Sequence, residues 1–293
     1  MSKFDYKGVG VALITPFNAD GSVDFGALGR IMDSVIDGGV DYIVALGTTA
    51  ETPAIVQDER EAIARYIKLL NNNRVPLVIG IGGNCTKEVI DGIVRFDLRG
   101  FDAVLSVTPY YNKPSQEGLY HHYKAIAQAS PLPIILYNVP SRTGVNMTAE
   151  TTLRLAHLPN IIGIKEASGN MEQIKAILRD KPEEFFVLSG DDSLTLDIMD
   201  EGGLGVISVA ANSFPKSFCR MIHSQMEGNK TEARAIETKL MPSMKMLFEE
   251  GNPTGVKTAL YAKGLIQPFL RLPMVFGSES LVDRLRVAVN ENE

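Results

Sequence analysis

The chain has few of the residues that mark several large functional classes. It carries two cysteines, Cys85 and Cys219, and neither sits in a Cys-x-x-Cys pair or a Cys/His cluster. The usual zinc-ligand spacings are therefore absent. Two cysteines allow one disulfide at most, and a reduced pair is the simpler reading. Cys85 has no histidine close by in sequence, which argues against a thiol nucleophile. The four histidines are His121, His122, His157 and His223, and none follows a candidate strand. Metal-assisted chemistry is not indicated.

Runs of basic residues are also missing. The net charge is −6 and the pI about 5.4. A nucleic-acid partner is not expected, and an anionic substrate would need a local cation rather than a global field. No apolar run approaches the ~20 residues of a membrane span. The first ten residues carry charge and no apolar leader. The expectation is a cytoplasmic chain with no membrane partner.

What the chain does have is a beat. Short apolar segments recur at 9–15, 42–46, 77–81, 103–107, 134–137, 161–165, 185–189 and 205–209. Their starts are roughly 20 to 35 residues apart, the size of one βα unit. The segments are continuously apolar rather than alternating, as strands covered on both faces should be. Helical patterns fill the gaps at 24–37, 58–70, 86–98, 115–129, 148–157, 170–178 and 193–200, with Thr86 a candidate N-cap. Eight repeats predict a closed (β/α)8 TIM barrel. A doubly wound open sheet is the alternative, but Gly8-Val9-Gly10-Val11-Ala12-Leu13 does not fit the Gly-x-Gly-x-x-Gly turn. Beyond about residue 215 only helical patterns remain. We expect a barrel over 1–225 and a C-terminal helical region over 226–293 packed on it.

In such barrels, chemistry sits at the C-terminal ends of the strands. Lys165 is the outlier there, because it ends the run Ile161-Ile162-Gly163-Ile164. Burial favours a neutral amine, and a neutral amine attacks ketones. The alternative is a structural ion pair with Glu166 or another carboxylate. Tyr137 ends the preceding strand and could relay protons beside Lys165, or simply be an ordinary strand residue. Gly47-Thr48-Thr49 could hold a carboxylate or merely cap a helix. Arg142 could fork onto a second carboxylate or lie solvated at the surface. Asp191-Asp192 after the seventh segment would oppose a phosphate, so a sugar phosphate is not the expected substrate.

Four motifs then converge: Gly47-Thr48-Thr49-Ala50-Glu51, Tyr110-Tyr111-Asn112-Lys113-Pro114, Tyr137-Asn138-Val139-Pro140-Ser141-Arg142-Thr143-Gly144 and Gly163-Ile164-Lys165-Glu166-Ala167-Ser168. In order and spacing, over nearly the whole chain, they resemble the dihydrodipicolinate synthase family. Its wider superfamily of pyruvate-dependent aldolases also holds N-acetylneuraminate lyase and 2-keto-3-deoxy sugar-acid aldolases. The resemblance implies a lyase that condenses pyruvate with L-aspartate 4-semialdehyde, in lysine and diaminopimelate biosynthesis. It implies no cofactor beyond a covalent Schiff base between Lys165 and pyruvate. Thr49 would bind the pyruvate carboxylate, and Thr48, Tyr137 and Tyr111 would relay protons. Tyr111 would reach in from a neighbouring subunit of a homotetramer, a dimer of dimers. Arg142 would bind the semialdehyde carboxylate, with Gly190 and the Ile207 backbone close by. Arg142 and Thr48-Thr49 favour the synthase over the sialic-acid lyase. Another aldolase, or a non-catalytic keto-acid-binding barrel, is the alternative.

Some positions depart from the family pattern. Ala50 replaces a usual glycine, and Thr52-Pro53 a usual Ser-Ala pair. A lysine-feedback site in some members uses residues matching Asn84, Glu88 and Tyr110, plus histidines where this chain has Gln57 and Arg60. The added arginine charge implies weak or absent lysine inhibition.

Overall fold

The computed structural model describes Phe4 and residues 6–292; most of the N-terminal residues expected to lack a leader are within that range, and residues 1–3 and 5 lie outside it. Eight strands, β1 (Gly8–Ala12), β2 (Tyr42–Ala45), β3 (Leu77–Gly80), β4 (Ala103–Val107), β5 (Ile134–Asn138), β6 (Ile161–Glu166), β7 (Phe186–Ser189) and β8 (Gly205–Ser208), run in sequence order around one closed barrel. Every recurring apolar segment is a strand, offset by three residues at most at either end. The expected (β/α)8 TIM barrel is the fold, and the helices Pro215–Met226, Lys230–Glu249, Thr254–Ala262 and Glu279–Asn292 follow the last strand.

The chain divides into two compact units. One holds Leu77–Ile207 with the described residues before Gly8. Its strands pair in parallel from β3 through β8. The strand residues are almost all buried and apolar, as expected where both faces are covered. Close packing is explicit at Gly163: a Cβ there would lie 2.2 Å from the Phe186 ring. Phe186 in turn stacks on Tyr6, ring centroids 5.1 Å apart. The second unit holds Gly8–Pro76 and Ser208–Glu293. Here β1 pairs in parallel with β2. Asn212 ties the segment after β8 to β1, donating from Nδ2 to the Ala12 carbonyl at 2.9 Å and accepting from the Ile14 N–H at 3.2 Å.

Local chemistry sets the helix starts. Asp24 caps helix Phe25–Asp37 by accepting from the Ala27 N–H at 2.8 Å. Ser115, Thr148 and Asn170 cap Gln116–Ala129, Ala149–Ala156 and Met171–Asp180 in the same way. Thr86 is the exception to expectation. Helix Thr86–Arg95 takes Cys85 as its N-cap residue, with no side-chain cap. The Thr86 hydroxyl is engaged elsewhere, 2.9 Å from Nδ1 of His122. Both cysteines are free: Cys85 is exposed and Cys219 buried. Burial pushes the Cys219 thiol up to about 12, so it stays protonated and inert. Among the described residues no helix is long and apolar enough to cross a membrane.

His122 is 5% exposed, and its Nε2 has no partner among the described residues. Desolvation lowers its pKa from 6.5 to about 4. The unfolded chain therefore binds a proton between pH 6.5 and 4 that the folded chain refuses. Stability from the neutral ring is present above pH 6.5 and is lost as pH falls toward 4. The loss is at most about 3 kcal/mol. Thermal melts should show the native midpoint falling more steeply across this window than that of His122→Gln. Parallel slopes would acquit His122.

Candidate active site

The first unit presents Lys165 at the C-terminal end of β6. In the parallel register Tyr137 lies opposite Lys165, and Asn138 opposite Glu166. Successive strand residues point to opposite faces. Tyr137 and Lys165 therefore share one face, and Asn138 and Glu166 share the other. Lys165 is 5% exposed and Tyr137 7%. The Lys165 Nζ lies 4.5 Å from the centre of the Tyr137 ring. No carboxylate among the described residues pairs with it.

Glu166 explains why the sequence neighbour is not the partner. It faces away from Lys165 and is fully buried. Its carboxylate accepts from the Asn138 side-chain amide at 3.2 Å, the Ser168 N–H at 2.7 Å and the Gln173 amide at 3.2 Å. Burial raises its pKa, and these donors oppose that rise. Asn138 also accepts from the Met147 N–H at 3.0 Å, and Asn146 donates to Gln173 at 2.8 Å. The polar cluster behind the sheet ties β5, β6 and helix Met171–Asp180 together. It thereby holds Tyr137 and Lys165 in one register. This cluster was not foreseen from the sequence. The available signal was two polar residues, Asn138 and Glu166, ending two consecutive apolar strands.

Gly190, just past β7, supplies room beside the lysine. A Cβ there would lie 2.6 Å from the Ala167 Cβ and 3.0 Å from the Lys165 Cε. Ile207 is buried near the end of β8. Arg142 sits on the short helix Pro140–Thr143 after β5 and is exposed. The Thr143 hydroxyl closes that helix onto the Val139 and Val145 carbonyls at 3.2 and 3.0 Å. The Tyr111 N–H donates to the Thr143 carbonyl at 3.3 Å, docking the 108–114 segment on the same helix. Tyr111 itself has φ +73° and is 87% exposed. Its ring is displayed outward by a backbone conformation that costs free energy for a non-glycine residue.

The second unit presents Thr48 and Thr49 after β2. Thr48–Ala50 is a single 3-10 turn, and Glu51 follows with φ +58°. Thr48 is half-buried and Thr49 is 2% exposed. The Thr49 Oγ1 accepts from Nδ2 of Asn252 at 3.1 Å. Glu51 is ion-paired with Lys257, and both side chains are buried. Its other oxygen accepts from the Arg271 N–H at 3.0 Å. Burial pulls Lys257 down to about 8, against the pull of Glu51. The Arg271 guanidinium is bidentate on Glu59, with 2.6 Å bonds to each oxygen. Sequence reasoning missed Asn252, Lys257 and Arg271. Lys257 did carry a signal: it interrupts Val256-Lys257-Thr258-Ala259-Leu260 in a helix with every residue from Thr254 to Leu260 buried.

No group of three or more His, Cys, Asp or Glu side chains is placed to hold a metal ion, among the described residues. What the first unit offers is an unpaired buried amine beside a phenol. That is the equipment for imine formation with proton transfer.

Residues 5–292 match the family described as the dihydrodipicolinate synthetase family. The chain belongs to the dihydrodipicolinate synthetase family. The 4-hydroxy-tetrahydrodipicolinate synthase of Parabacteroides distasonis is 51% identical over 276 residues, covering 94% of this chain and 93% of that one. Among solved structures, dihydrodipicolinate synthase from Aquifex aeolicus superposes with a TM-score of 0.94 at 41% identity, covering 98% of both chains. The chloride-inhibited enzyme from Acinetobacter baumannii, solved in complex with pyruvate, has a TM-score of 0.94 at 40% identity, again over 98% of both. Within the dihydrodipicolinate synthetase family the chain is thus a full-length match in both sequence and fold.

The space left by Gly190 yields a test. Gly190→Ala should displace Lys165 by a fraction of an ångström. If Lys165 takes up a 2-keto acid as an imine, the rate at which borohydride captures it there should fall about 10- to 100-fold. Mass spectrometry of the Lys165 peptide would read this, and undiminished capture would mean the site tolerates a methyl group.

Proposed function

We propose that this chain condenses pyruvate with L-aspartate 4-semialdehyde to give 4-hydroxy-tetrahydrodipicolinate, a step toward diaminopimelate and lysine. The observation that carries the proposal is the Lys165 amine, buried beside Tyr137 with no carboxylate partner among the described residues. A buried amine that no carboxylate holds, set against a phenol, is placed to act as a nucleophile.

The amine attacks the pyruvate carbonyl carbon, and the carbonyl oxygen leaves as water. The resulting iminium withdraws electrons, so a methyl proton departs and an enamine forms. The enamine carbon bonds to the aldehyde carbon of the second substrate, whose oxygen takes a proton and becomes the hydroxyl; the substrate's amino group then attacks the imine carbon, closing the ring and expelling the Lys165 amine. Tyr137 is proposed as the acid/base centre, with Thr48 and Tyr111 as the other hydroxyls of the relay. Thr49 is proposed to hold the pyruvate carboxylate and Arg142 the carboxylate of the semialdehyde. Gly190 and Ile207 are proposed to line the substrate's path. The chemistry needs no metal or organic cofactor, because the iminium itself supplies the electron sink.

Tyr111 would complete the relay from a second subunit of a homotetramer. Its outward display supports a role in a neighbour's site rather than in its own. A cytoplasmic location goes with biosynthetic chemistry on soluble metabolites.

Borohydride added with pyruvate should fix a mass increase on the Lys165 peptide, and Lys165→Ala should lose both the adduct and at least about 10³-fold of the condensation rate. Adduct formation elsewhere in the chain would end the mechanism.

Feedback by lysine is proposed to be weak or absent. The Arg60 guanidinium donates to the Ile55 and Thr52 carbonyls at 2.7 and 2.8 Å, which fixes a positive charge on that segment. Gln57 is engaged with Glu61 at 3.0 Å. A fixed cation disfavours a lysine ammonium nearby. Titration with lysine should leave more than half the activity at about 1 mM, an affinity scale of about 4 kcal/mol. Half-inhibition well below that concentration contradicts the proposal.

A further inference from the structure

We propose that Asn252 is a positioning residue whose side-chain amide fixes the Thr49 hydroxyl as a hydrogen-bond donor toward a bound carboxylate. The proposal deepens the function given above and rests on it.

A hydroxyl has one hydrogen to give and two lone pairs with which to accept. Thr49 and Asn252 are both buried, 2% and 6% exposed, and the Asn252 Nδ2 lies 3.1 Å from the Thr49 Oγ1. An amide nitrogen only donates. The Thr49 oxygen therefore accepts, and its hydrogen must point elsewhere. Among the described residues the Thr49 hydroxyl accepts this bond and is not seen to donate one. A buried donor left without an acceptor is costly. Its cost disappears when an anionic oxygen arrives, and a hydrogen bond to a charged acceptor is the stronger kind. The arrangement thus favours a carboxylate over a neutral group at this point.

The geometry is held from the same stretch of chain. Five residues after Asn252, Lys257 pairs with Glu51, which is two residues after Thr49. The Arg271 N–H donates to the second Glu51 oxygen at 3.0 Å. The turn is therefore gripped at Thr49 and at Glu51 by residues 252–271. The grip at Thr49 is neutral and polarises a hydroxyl. The grip at Glu51 is ionic and fixes the backbone.

Asparagine and aspartate are nearly the same shape but differ in this one respect. An aspartate at position 252 would accept the Thr49 hydrogen, turning an oxygen lone pair toward the ligand.

The test compares the wild type with N252A, N252D, T49V and T49V/N252A. The readouts are the pyruvate concentration giving half-maximal borohydride-trapped adduct, and KM against kcat for pyruvate. N252A should raise half-saturation about tenfold and N252D more, with kcat at saturating pyruvate within about threefold. Because Asn252 acts through Thr49, the double variant should match T49V. Unchanged half-saturation in N252A, or losses that multiply in the double variant, would overturn the proposal. Thermal midpoints report folding. If N252A melts below the assay temperature, N252D decides, since a half-saturation equal to wild type contradicts the polarity argument. Failure of the underlying reading looks different: the wild type itself would give no adduct with pyruvate.

Discussion

A buried carboxylate without a cation underlies the reactive end of this fold. Glu166 is held by amide and backbone donors rather than by a positive charge. That choice leaves Lys165, its neighbour in sequence, free of the ion pair that would have made it inert. A glutamate satisfied by neutral donors occupies the back of the sheet, while the front of the sheet receives an amine and a phenol. Removing a partner from such a cluster would strand polar atoms in a dry environment, which is why networks of this kind are either complete or harmful.

The second unit solves a related problem by different means. The turn after β2 contains a glutamate in a left-handed conformation, fully buried. Here the charge is met directly, by Lys257, and the arrangement extends to Arg271 and Glu59. Both cations lie over the Phe17 ring, Lys257 Nζ at 4.2 Å and Arg271 Cζ at 4.4 Å. Two cations and two anions around one aromatic face leave little net charge to desolvate. Pairs of this kind contribute little net stability but define a single arrangement, because any alternative leaves a charge uncompensated.

Much of this was legible in the sequence, for identifiable reasons. Strands with both faces covered appear as continuous apolar runs, so all eight could be placed within a few residues. Lys165 stood out because it breaks such a run. That Lys165 stays clear of its neighbour was not legible, because Glu166 is adjacent in sequence yet faces the opposite side of the strand. Thr86 was mistaken for a cap because its hydroxyl could serve either the helix or a histidine 36 residues away, and only the fold decides. Asn252 and Thr49 are separated by 203 residues, so no local pattern could join them. The C-terminal region was expected as helices packed on the barrel; that Asn252, Lys257 and Arg271 of this region meet the turn after β2 had no sequence signal beyond the buried Lys257.

That last arrangement bears on how the protein is made. The threonine turn leaves the ribosome early, but the Asn252 amide, the Lys257 cation and the Arg271 N–H that fix it are translated some two hundred residues later. Until then Glu51 has nothing to neutralise it and cannot be buried. A partly synthesised or prematurely terminated polypeptide would hold the lysine strand yet lack an ordered threonine turn, so competence would arrive only when synthesis is nearly complete.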